Sequence, residues 1–336
     1  MPTCVVTGGA GFIGSNFVRL ALADRPDLRI VTIDLLTYAG NLENLEGVPA
    51  DRHTFVRADI TDPDAMRRAV PDGADALVNF AAETHVDRSI LGPLAFVRTN
   101  VTGTQVLLDA ARERGVGRFL QVSTDEVYGS LAPDEPAFTE ASPLRPSSPY
   151  AASKAGADLL VLAAHRTWGQ DVVITRCSNN YGPYQFPEKL IPLMLSNALE
   201  GEPLPVYGDG RQVRDWIFTD DHSRAILAVL AGGRPGAVYN IGARSERFNL
   251  DVVRAILAAV GRDESLIRFV TDRPGHDRRY AIDPTRLETE LGWQPQTAFE
   301  DGLACTIQWY RDHEGWWRRV KDGSYRAFYE AWYGKR

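Results

Sequence analysis

The glycine-rich segment at residues 7–14 (TGGAGFIG) constrains the fold of this chain more than any other feature. It follows a short apolar run at residues 4–6 and opens a helical pattern. Gly8, Gly11 and Gly14 allow the backbone to turn tightly and to approach a pyrophosphate, which the N–H groups at the start of a helix can bind. A tight turn that binds nothing is the alternative, but the position directly after the first expected strand favours a dinucleotide site.

Apolar runs alternate with helical patterns along the first half of the chain. The runs that we expect to form strands lie at residues 4–6, 29–34, 75–80, 118–123 and 171–175. Helix formers fill the segment at residues 100–113, and another helical pattern begins near Tyr150. Strands that alternate with helices predict an α/β fold with a Rossmann-type, doubly wound parallel sheet that helices cover on both faces.

The pattern changes after Arg176, where prolines and glycines interrupt the segments. We interpret this part as a smaller, mixed α/β C-terminal lobe that binds the substrate. The expected dinucleotide-binding Rossmann domain comprises residues 1–178, with 213–240 returning to it, and the expected substrate domain comprises residues 179–212 and 241–336.

Composition argues against several classes of function. The 336 residues carry a net charge of −7, which disfavours general binding to nucleic acid or to an anionic membrane. Cys4, Cys177 and Cys305 lie far apart without metal-like spacing, so we expect no metal site, and so few cysteines fit a reducing cytoplasm. Neither a basic leader with a cleavage site nor a membrane-spanning apolar stretch is visible, so a cytoplasmic protein is expected.

Asp34 indicates which dinucleotide is bound. It ends the second expected strand, twenty residues after Gly14. A carboxylate at this place accepts hydrogen bonds from the adenosine ribose hydroxyls and repels a 2′-phosphate, so NAD is favoured over NADP. A solvated aspartate at a strand end is the alternative interpretation. Asp59 and Ile60 follow the next short apolar run and are expected to contact the adenine.

Tyr150 and Lys154 are the first candidates for chemistry. They are four residues apart and therefore share one face of a helix. An ammonium beside a phenol is expected to lower the pKa of the tyrosine, which can then take a hydroxyl proton while hydride leaves the adjacent carbon. Such a pair is common on protein surfaces, but behind the glycine-rich segment we interpret it as catalytic.

Thr124, Asp125 and Glu126 follow the strand expected at residues 118–123. Ligands of open parallel sheets bind outside the carboxyl ends of the strands, so Thr124 is expected to hydrogen-bond a reacting oxygen. The two carboxyl groups can act as separate acid and base if their surroundings move their pKa values apart. A polar loop with solvated carboxylates is the alternative.

Longer segments match a known family nearly from end to end. They are residues 34–45 (DLLTYAGNLENL), 81–90 (AAETHVDRSI), 123–129 (STDEVYG), 150–157 (YAASKAGA), 176–192 (RCSNNYGPYQFPEKLIP), 207–222 (YGDGRQVRDWIFTDDH) and 273–283 (RPGHDRRYAID). On these segments the chain resembles the extended short-chain dehydrogenases/reductases and, within them, the dTDP-glucose 4,6-dehydratases. The Asp125–Glu126 pair and the RPGHDRRY segment discriminate, because related 4-epimerases lack them.

The resemblance implies a reaction in three stages. Tyr150, supported by Lys154 and Thr124, oxidises C4 of glucose and NAD receives the hydride. Glu126 then removes the C5 hydrogen while Asp125 protonates the departing C6 hydroxyl as water. The hydride finally returns to C6, which gives a 4-keto-6-deoxy sugar and leaves NAD as a bound prosthetic group.

The resemblance also implies binding residues and an assembly. The NAD contacts that it implies are Gly8, Gly11, Phe12, Ile13, Gly14, Asp34, Leu35, Thr37, Asp59, Ile60, Ala81, Ala82, Thr99, Tyr150 and Lys154. The nucleotide-sugar contacts that it implies are Thr84, Thr124, Asn179, Glu188, Lys189, Leu190, Pro205, Tyr207, Arg214, Asn249, Arg273 and His276. Among these, two arginines and one lysine are suited to a pyrophosphate. It further implies a homodimer paired through helices that include the Tyr150 helix.

Two other functions remain open on the sequence. An NAD-dependent nucleotide-sugar 4-epimerase would share these features except for the work of Asp125 and Glu126. A redox-silent NAD-sensing or scaffold protein could use the same fold, although intact Tyr150 and Lys154 argue against it.

Overall fold

The computed structural model describes residues 1–321, so the last part of the expected substrate domain, residues 322–336, lies outside the described residues. A seven-stranded parallel sheet forms the centre of the fold. Its strands are β1 (Thr3–Thr7), β2 (Arg29–Asp34), β3 (His53–Arg57), β4 (Ala76–Asn79), β5 (Arg118–Thr124), β6 (Val172–Cys177) and β10 (Val238–Ile241). They lie in the order β10-β6-β5-β4-β1-β2-β3, and each adjacent pair is parallel. This confirms the Rossmann-type sheet predicted from the sequence.

Helices cover both faces of this sheet. They are α1 (Phe12–Asp24), α2 (Pro63–Ala69), α3 (Val86–Leu91), α4 (Pro93–Phe96), α5 (Gly103–Glu113), α6 (Pro149–Trp168) and α8 (Thr219–Gly232), and a π-helical stretch at Val97–Thr102 joins α4 to α5. Side chains alternate along the strands: Val6 packs in the core with α1 and α8, and its neighbour Val5 packs in the core with α2, α5 and α6. Burial on both faces explains why the strands read as continuous apolar runs.

The rest of the described chain forms a smaller mixed α/β part. Its elements are β7 (Asn179–Tyr181), α7 (Leu190–Glu200), β8 (Leu204–Tyr207), β9 (Val213–Phe218), β11 (Glu246–Phe248), α9 (Asn249–Val260), β12 (Ile267–Val270), α10 (Thr285–Leu291), α11 (Phe299–Asp312) and α12 (Glu314–Val320). In a three-stranded sheet, β9 pairs in parallel with β7 and antiparallel with β11. In a separate two-stranded sheet, β12 pairs in parallel with β8. Short 3₁₀ helices lie at Leu42–Leu45, Asp125–Tyr128 and Glu264–Leu266.

The segment expected to return to the Rossmann domain, residues 213–240, divides between the two parts. α8 and β10 join the large sheet, whereas β9 lies in the three-stranded sheet. The reason is that β9 faces two cores: Ile217 packs with α1 and α8, but Trp216 and Phe218 pack in the core of the smaller part. Conversely, α10 follows elements of the smaller part along the chain, but its Leu287 packs in the core of the large sheet.

Two tryptophans dock the last described helix. Trp316 donates from Nε1 to Asn44 Oδ1 at 2.9 Å, and Trp317 donates to the carbonyl oxygen of Tyr310 at 2.9 Å.

Across residues 1–321, no helix has the length and apolar character needed to cross a membrane.

Candidate active site

A cavity of about 470 Å³ lies between the carboxyl ends of the large sheet and the smaller part of the chain. The structure brings every residue that the sequence suggested for cofactor, substrate or chemistry to the wall of this one cavity. From the large sheet and its helices come Gly8, Gly11, Phe12, Ile13, Gly14, Asp34, Leu35, Thr37, Asp59, Ile60, Ala81, Ala82, Thr84, Thr99, Thr124, Asp125, Glu126, Tyr150 and Lys154. From the smaller part come Asn179, Glu188, Lys189, Leu190, Pro205, Tyr207, Arg214, Asn249, Arg273 and His276.

The glycine turn between β1 and α1 requires residues without side chains. Gly8 has φ +69°, and a Cβ on it would lie 2.6 Å from the amide nitrogen of Ala81. A Cβ on Gly14 would collide with the carbonyl oxygen of Gly8. Among residues 1–321, no side chain caps α1 at Gly11, so the first N–H groups of this helix remain available to an anionic ligand.

Asp34 has a structural role that the sequence did not reveal. Its Oδ2 accepts a hydrogen bond from the Ala10 amide at 3.0 Å, and its Oδ1 accepts one from the Leu36 amide at 2.8 Å. These bonds tie the end of β2 to the glycine turn. Burial nevertheless raises the pKa of Asp34, against the opposing effect of these two amides.

Thr124 organises the carboxyl end of β5. Its hydroxyl donates to Asp125 Oδ1 at 3.2 Å and accepts a hydrogen bond from the Glu126 amide at 3.2 Å, which caps the following 3₁₀ helix. That helix is anchored at its far end, where the Tyr128 hydroxyl donates to Asn240 Oδ1 at 2.8 Å and accepts from Arg176 at 3.0 Å. The two carboxyl groups are therefore held at the end of the sheet and are not part of a solvated loop.

The two carboxyl groups differ in their proton affinity. Burial, the neighbouring Glu126 and Asp215 raise the pKa of Asp125 well above its usual range. Burial also raises the pKa of Glu126, but Arg273, Lys189 and Arg214 act in the opposite direction. Such a separation suits Asp125 to hold a proton and Glu126 to accept one.

Tyr150 and Lys154 lie on the inner face of α6. Ser148 caps this helix by accepting a hydrogen bond from the Ala151 amide at 3.1 Å, and Pro149 is its first residue. Lys154 donates from Nζ to the carbonyl oxygen of Val122 at 2.7 Å, which fixes the ammonium against β5.

The pKa of Tyr150 differs from the sequence-based expectation. Burial raises it well above its ordinary value, and the nearby charge of Glu126 adds to this, whereas a hydrogen bond with Thr124 acts the other way. Burial also lowers the pKa of Lys154. The expected lowering of the tyrosine pKa is therefore wrong for the protein by itself, because burial and the charge of Glu126 raise it.

Three cations of the smaller part face the cavity. Arg214 donates to the carbonyl oxygen of Asp277 at 3.0 Å, and its guanidinium lies 4.2 Å from the centre of the Tyr280 ring. Arg273 donates to Asp87 Oδ1 at 3.0 Å, and Lys189 donates to the carbonyl oxygen of Thr84 at 2.8 Å. Together they supply the positive charge that a diphosphate needs.

Two further titratable groups lie beside these cations. Glu188 accepts a hydrogen bond from the Tyr38 hydroxyl at 3.2 Å, and burial raises its pKa to about 7. His276 is paired through Nδ1 with Asp272 Oδ1 at 2.6 Å, and burial followed by the charges of Arg273 and Arg214 lowers its pKa to about 4. His276 is thus uncharged at neutral pH.

Several cavity residues were missed by sequence reasoning. Trp216 Nε1 and Gln212 Oε1 are buried and have no hydrogen-bond partner within residues 1–321. Buried polar groups are normally paired, so these atoms are candidates for ligand contacts. Tyr280 and Asp87 also line the cavity. Their signal was present, since all four residues lie in the matched segments 81–90, 207–222 and 273–283.

Comparisons with known proteins agree with this geometry. A protein-family model described as GDP-mannose 4,6 dehydratase matches residues 5–306. The dTDP-glucose 4,6-dehydratase of Xanthomonas campestris pv. campestris (strain B100) is 54% identical, and the alignment covers 97% of this chain and 98% of that protein. This chain belongs to the dTDP-glucose 4,6-dehydratase family. Solved structures that resemble this chain extend beyond this family.

Two solved structures illustrate the range of this similarity. The crystal structure of DesIV, a dTDP-glucose 4,6-dehydratase from Streptomyces venezuelae with NAD and TYD bound, has 56% identity and a TM-score of 0.92, covering 95% of this chain and 100% of that chain. A UDP-glucose 4-epimerase of Thermus thermophilus in complex with NAD has 30% identity and a TM-score of 0.85, covering 93% of this chain and 99% of that chain. The epimerase resemblance is thus the more distant one.

Proposed function

We propose that this enzyme is a hydro-lyase that converts dTDP-D-glucose into dTDP-4-keto-6-deoxy-D-glucose and water, a step of deoxysugar biosynthesis. Membership of the family supports this reaction, and one observation on the structure of this chain supports it independently. Two carboxyl groups of unlike pKa, Asp125 and Glu126, line the same cavity as Tyr150 and Lys154. Oxidation of an alcohol needs only the tyrosine and the lysine, whereas loss of water needs an acid and a base.

The residues around the glycine turn fit NAD. Bound NAD would accept a hydride from C4 of the glucose and return one to C6. Gly8 and Gly14 leave room for a close approach of a pyrophosphate, because a Cβ at either position would collide with backbone. The uncapped start of α1 offers N–H groups to it, and Asp34 lines the cavity at the end of β2, where a ribose would lie.

Tyr150 would take the proton of the C4 hydroxyl in the first stage. Thr124 would hydrogen-bond the same oxygen, since its hydroxyl interacts with Tyr150. Lys154 would supply positive charge on the same face of α6 and is kept there by the carbonyl oxygen of Val122. These groups would open the reaction by making the C4 oxygen a carbonyl oxygen.

Glu126 and Asp125 would perform the second stage. The new carbonyl group acidifies the C5 hydrogen, which Glu126 would accept in its ionised form. Asp125 would give its proton to the C6 oxygen as the C6–O bond breaks, so that the oxygen leaves as water. As hydride adds to C6, Glu126 would give a proton to C5 and become ionised again. Asp125 would regain a proton from solvent, and Tyr150 would release to solvent the proton that it took from the C4 hydroxyl, so each group would return to its starting state.

The smaller part of the chain would bind the nucleotide end of the substrate. Arg214, Arg273 and Lys189 would neutralise the diphosphate. The other expected contacts are Thr84, Asn179, Glu188, Leu190, Pro205, Tyr207, Asn249 and His276, all of which line the cavity. The large sheet would accordingly bind the cofactor and the smaller part the nucleotide sugar.

The experiment is incubation of the purified protein with dTDP-glucose, with detection of the 4-keto product by its absorbance in alkali. We expect this product to form and Tyr150→Phe to form none. A product that is only dTDP-galactose would indicate the 4-epimerase instead. No turnover of any nucleotide sugar would favour the scaffold function.

We also propose that the protein acts as a cytoplasmic homodimer paired through α6. Large apolar side chains are exposed on α6 and on the neighbouring α3 and α4 region, which supports the pairing. They are Leu91, Leu94, Val97, Leu159 and Trp168. Light scattering after size exclusion should give twice the chain mass, and Leu159→Arg should give a monomer; a monomeric wild-type protein would contradict this proposal.

A further inference from the structure

Asp87 joins the two parts of the protein at the cavity wall. It is the second residue of α3, on the side of the large sheet, and only 2% of its surface is exposed. Its Oδ1 accepts a hydrogen bond from Arg273 Nη1 at 3.0 Å, and its Oδ2 accepts one from the Tyr207 hydroxyl at 2.9 Å. Each carboxylate oxygen therefore holds one residue of the opposite side.

The base of α3 keeps Asp87 in place. His85 caps this helix by accepting a hydrogen bond from the Arg88 amide, and Ser89 donates to the carbonyl oxygen of Val86 at 2.6 Å. Val86 and Ser89 are buried on either side of Asp87. The carboxylate is thus mounted on a packed element and can act as a fixed acceptor.

Asp87 fixes the polar end of each of its two partner side chains, the guanidinium of Arg273 and the hydroxyl of Tyr207. An arginine loses several rotatable bonds of freedom when it is ordered, and binding is weaker if the ligand must order it. Tyr207 is held in turn against His276, whose ring centre lies 5.8 Å away with an edge-on geometry. Arg273 and Tyr207 both line the cavity.

We propose that Asp87 is a positioning residue that holds Arg273 and Tyr207 in the orientation needed to bind the diphosphate of a nucleotide sugar. The proposal rests on the proposed function, because it takes the diphosphate to lie against Arg273. Asp87 touches neither the cofactor nor the sugar in this account and acts through its two partners alone.

Binding of dTDP to the NAD-loaded protein provides the test, since dTDP carries the diphosphate but no sugar to react. Isothermal titration calorimetry of Asp87→Asn should show a dTDP affinity about 10- to 100-fold weaker than that of the wild type, the value of one or two charge-assisted hydrogen bonds. The matched control is Asp64→Asn, which removes an exposed carboxylate that pairs with Arg67 at 2.7 Å. Its dTDP affinity should equal that of the wild type.

A double-mutant cycle separates positioning from a general structural role. In a protein that already carries Arg273→Gln and Tyr207→Phe, Asp87→Asn should change dTDP affinity by less than about 2-fold. An equally large loss in that background would overturn the proposal, and so would unchanged or tighter binding by Asp87→Asn alone. Tighter binding would mean that Asp87 competes with the diphosphate for Arg273.

Asp87→Glu covers the case in which Asp87→Asn does not fold. It keeps the buried charge opposite Arg273 but moves the carboxylate by one methylene, so dTDP affinity should fall at least about 3-fold. Wild-type affinity in this variant would overturn the proposal. Wild-type protein that fails to convert dTDP-glucose would instead count against the proposed function, so the two failures are distinguishable.

Discussion

Asp125→Asn should stop the loss of water without disturbing binding. The raised pKa of Asp125 favours the protonated, uncharged form of its carboxyl group, and the replacement amide is uncharged and nearly the same in shape. The amide oxygen can still accept the hydrogen bond that Thr124 gives to Oδ1 at 3.2 Å. The change therefore removes an acidic proton while the charge and packing of the cavity stay the same.

The magnitude follows from the role of one general acid. Such a group contributes about 10²- to 10⁴-fold to a rate, which corresponds to about 3–5.5 kcal/mol of barrier. Asp125 Oδ2 is buried and has no hydrogen-bond partner among residues 1–321, so it is the oxygen free to carry the proton to the substrate. We expect turnover to fall by this factor and the KM for dTDP-glucose to stay within about 3-fold of the wild type.

Rapid mixing with dTDP-glucose tests this prediction. The near-ultraviolet absorbance of the reduced cofactor should rise and persist, because Asp125 takes no part in the oxidation at C4. Asp64→Asn, an exposed aspartate outside the cavity, is the control and should turn over normally. If turnover fell by less than about 10-fold, the assignment of Asp125 as the acid would be refuted. Much tighter binding of dTDP would refute its neutral state, since the substitution would then have removed a negative charge.

Three further predictions follow from the same geometry. Glu126→Gln should reduce the cofactor but stall before elimination, and normal turnover of this variant would show that Glu126 is not the C5 base. Burial raises the pKa of Glu126, and the base works when it is ionised, so activity should be lost as pH falls through that raised pKa. This loss should occur at a higher pH than for an ordinary glutamate, whose pKa is about 4.3. Because Arg273 lowers the pKa of Glu126, Arg273→Gln should move this limb of the pH–rate profile to still higher pH. Arg176→Met should lower the free energy of unfolding by about 3–5 kcal/mol in urea titrations, since it leaves Asp158 buried without its partner at 2.9 Å; a loss below about 1 kcal/mol would contradict this.

The features that the sequence predicted well are local ones. The glycine turn, the Asp34 strand end and the Tyr150–Lys154 pair each follow from the spacing of a few neighbouring residues. Parallel strands then bring their carboxyl ends to one edge, which is why Thr124, Asp125 and Glu126 could be expected at the same cavity as the glycine turn.

The features that the sequence did not predict depend on distant contacts. The bond between Asp87 and Arg273 joins residues 186 positions apart, and no pattern in the chain announces it. The apolar run of β9 likewise gives no sign that this strand pairs with β7. The raised pKa of Tyr150 comes mainly from burial, which the spacing of residues along the chain does not reveal.

The central claim is that one cavity oxidises C4, removes water across C5 and C6, and returns the same hydride to C6. Turnover of dTDP-glucose that carries deuterium at C4 tests it most directly, with the product analysed by proton NMR. The account predicts that the deuterium appears in the methyl group at C6 and that C5 takes its hydrogen from solvent. Deuterium that stays at C4, or that is lost to solvent, would contradict the account.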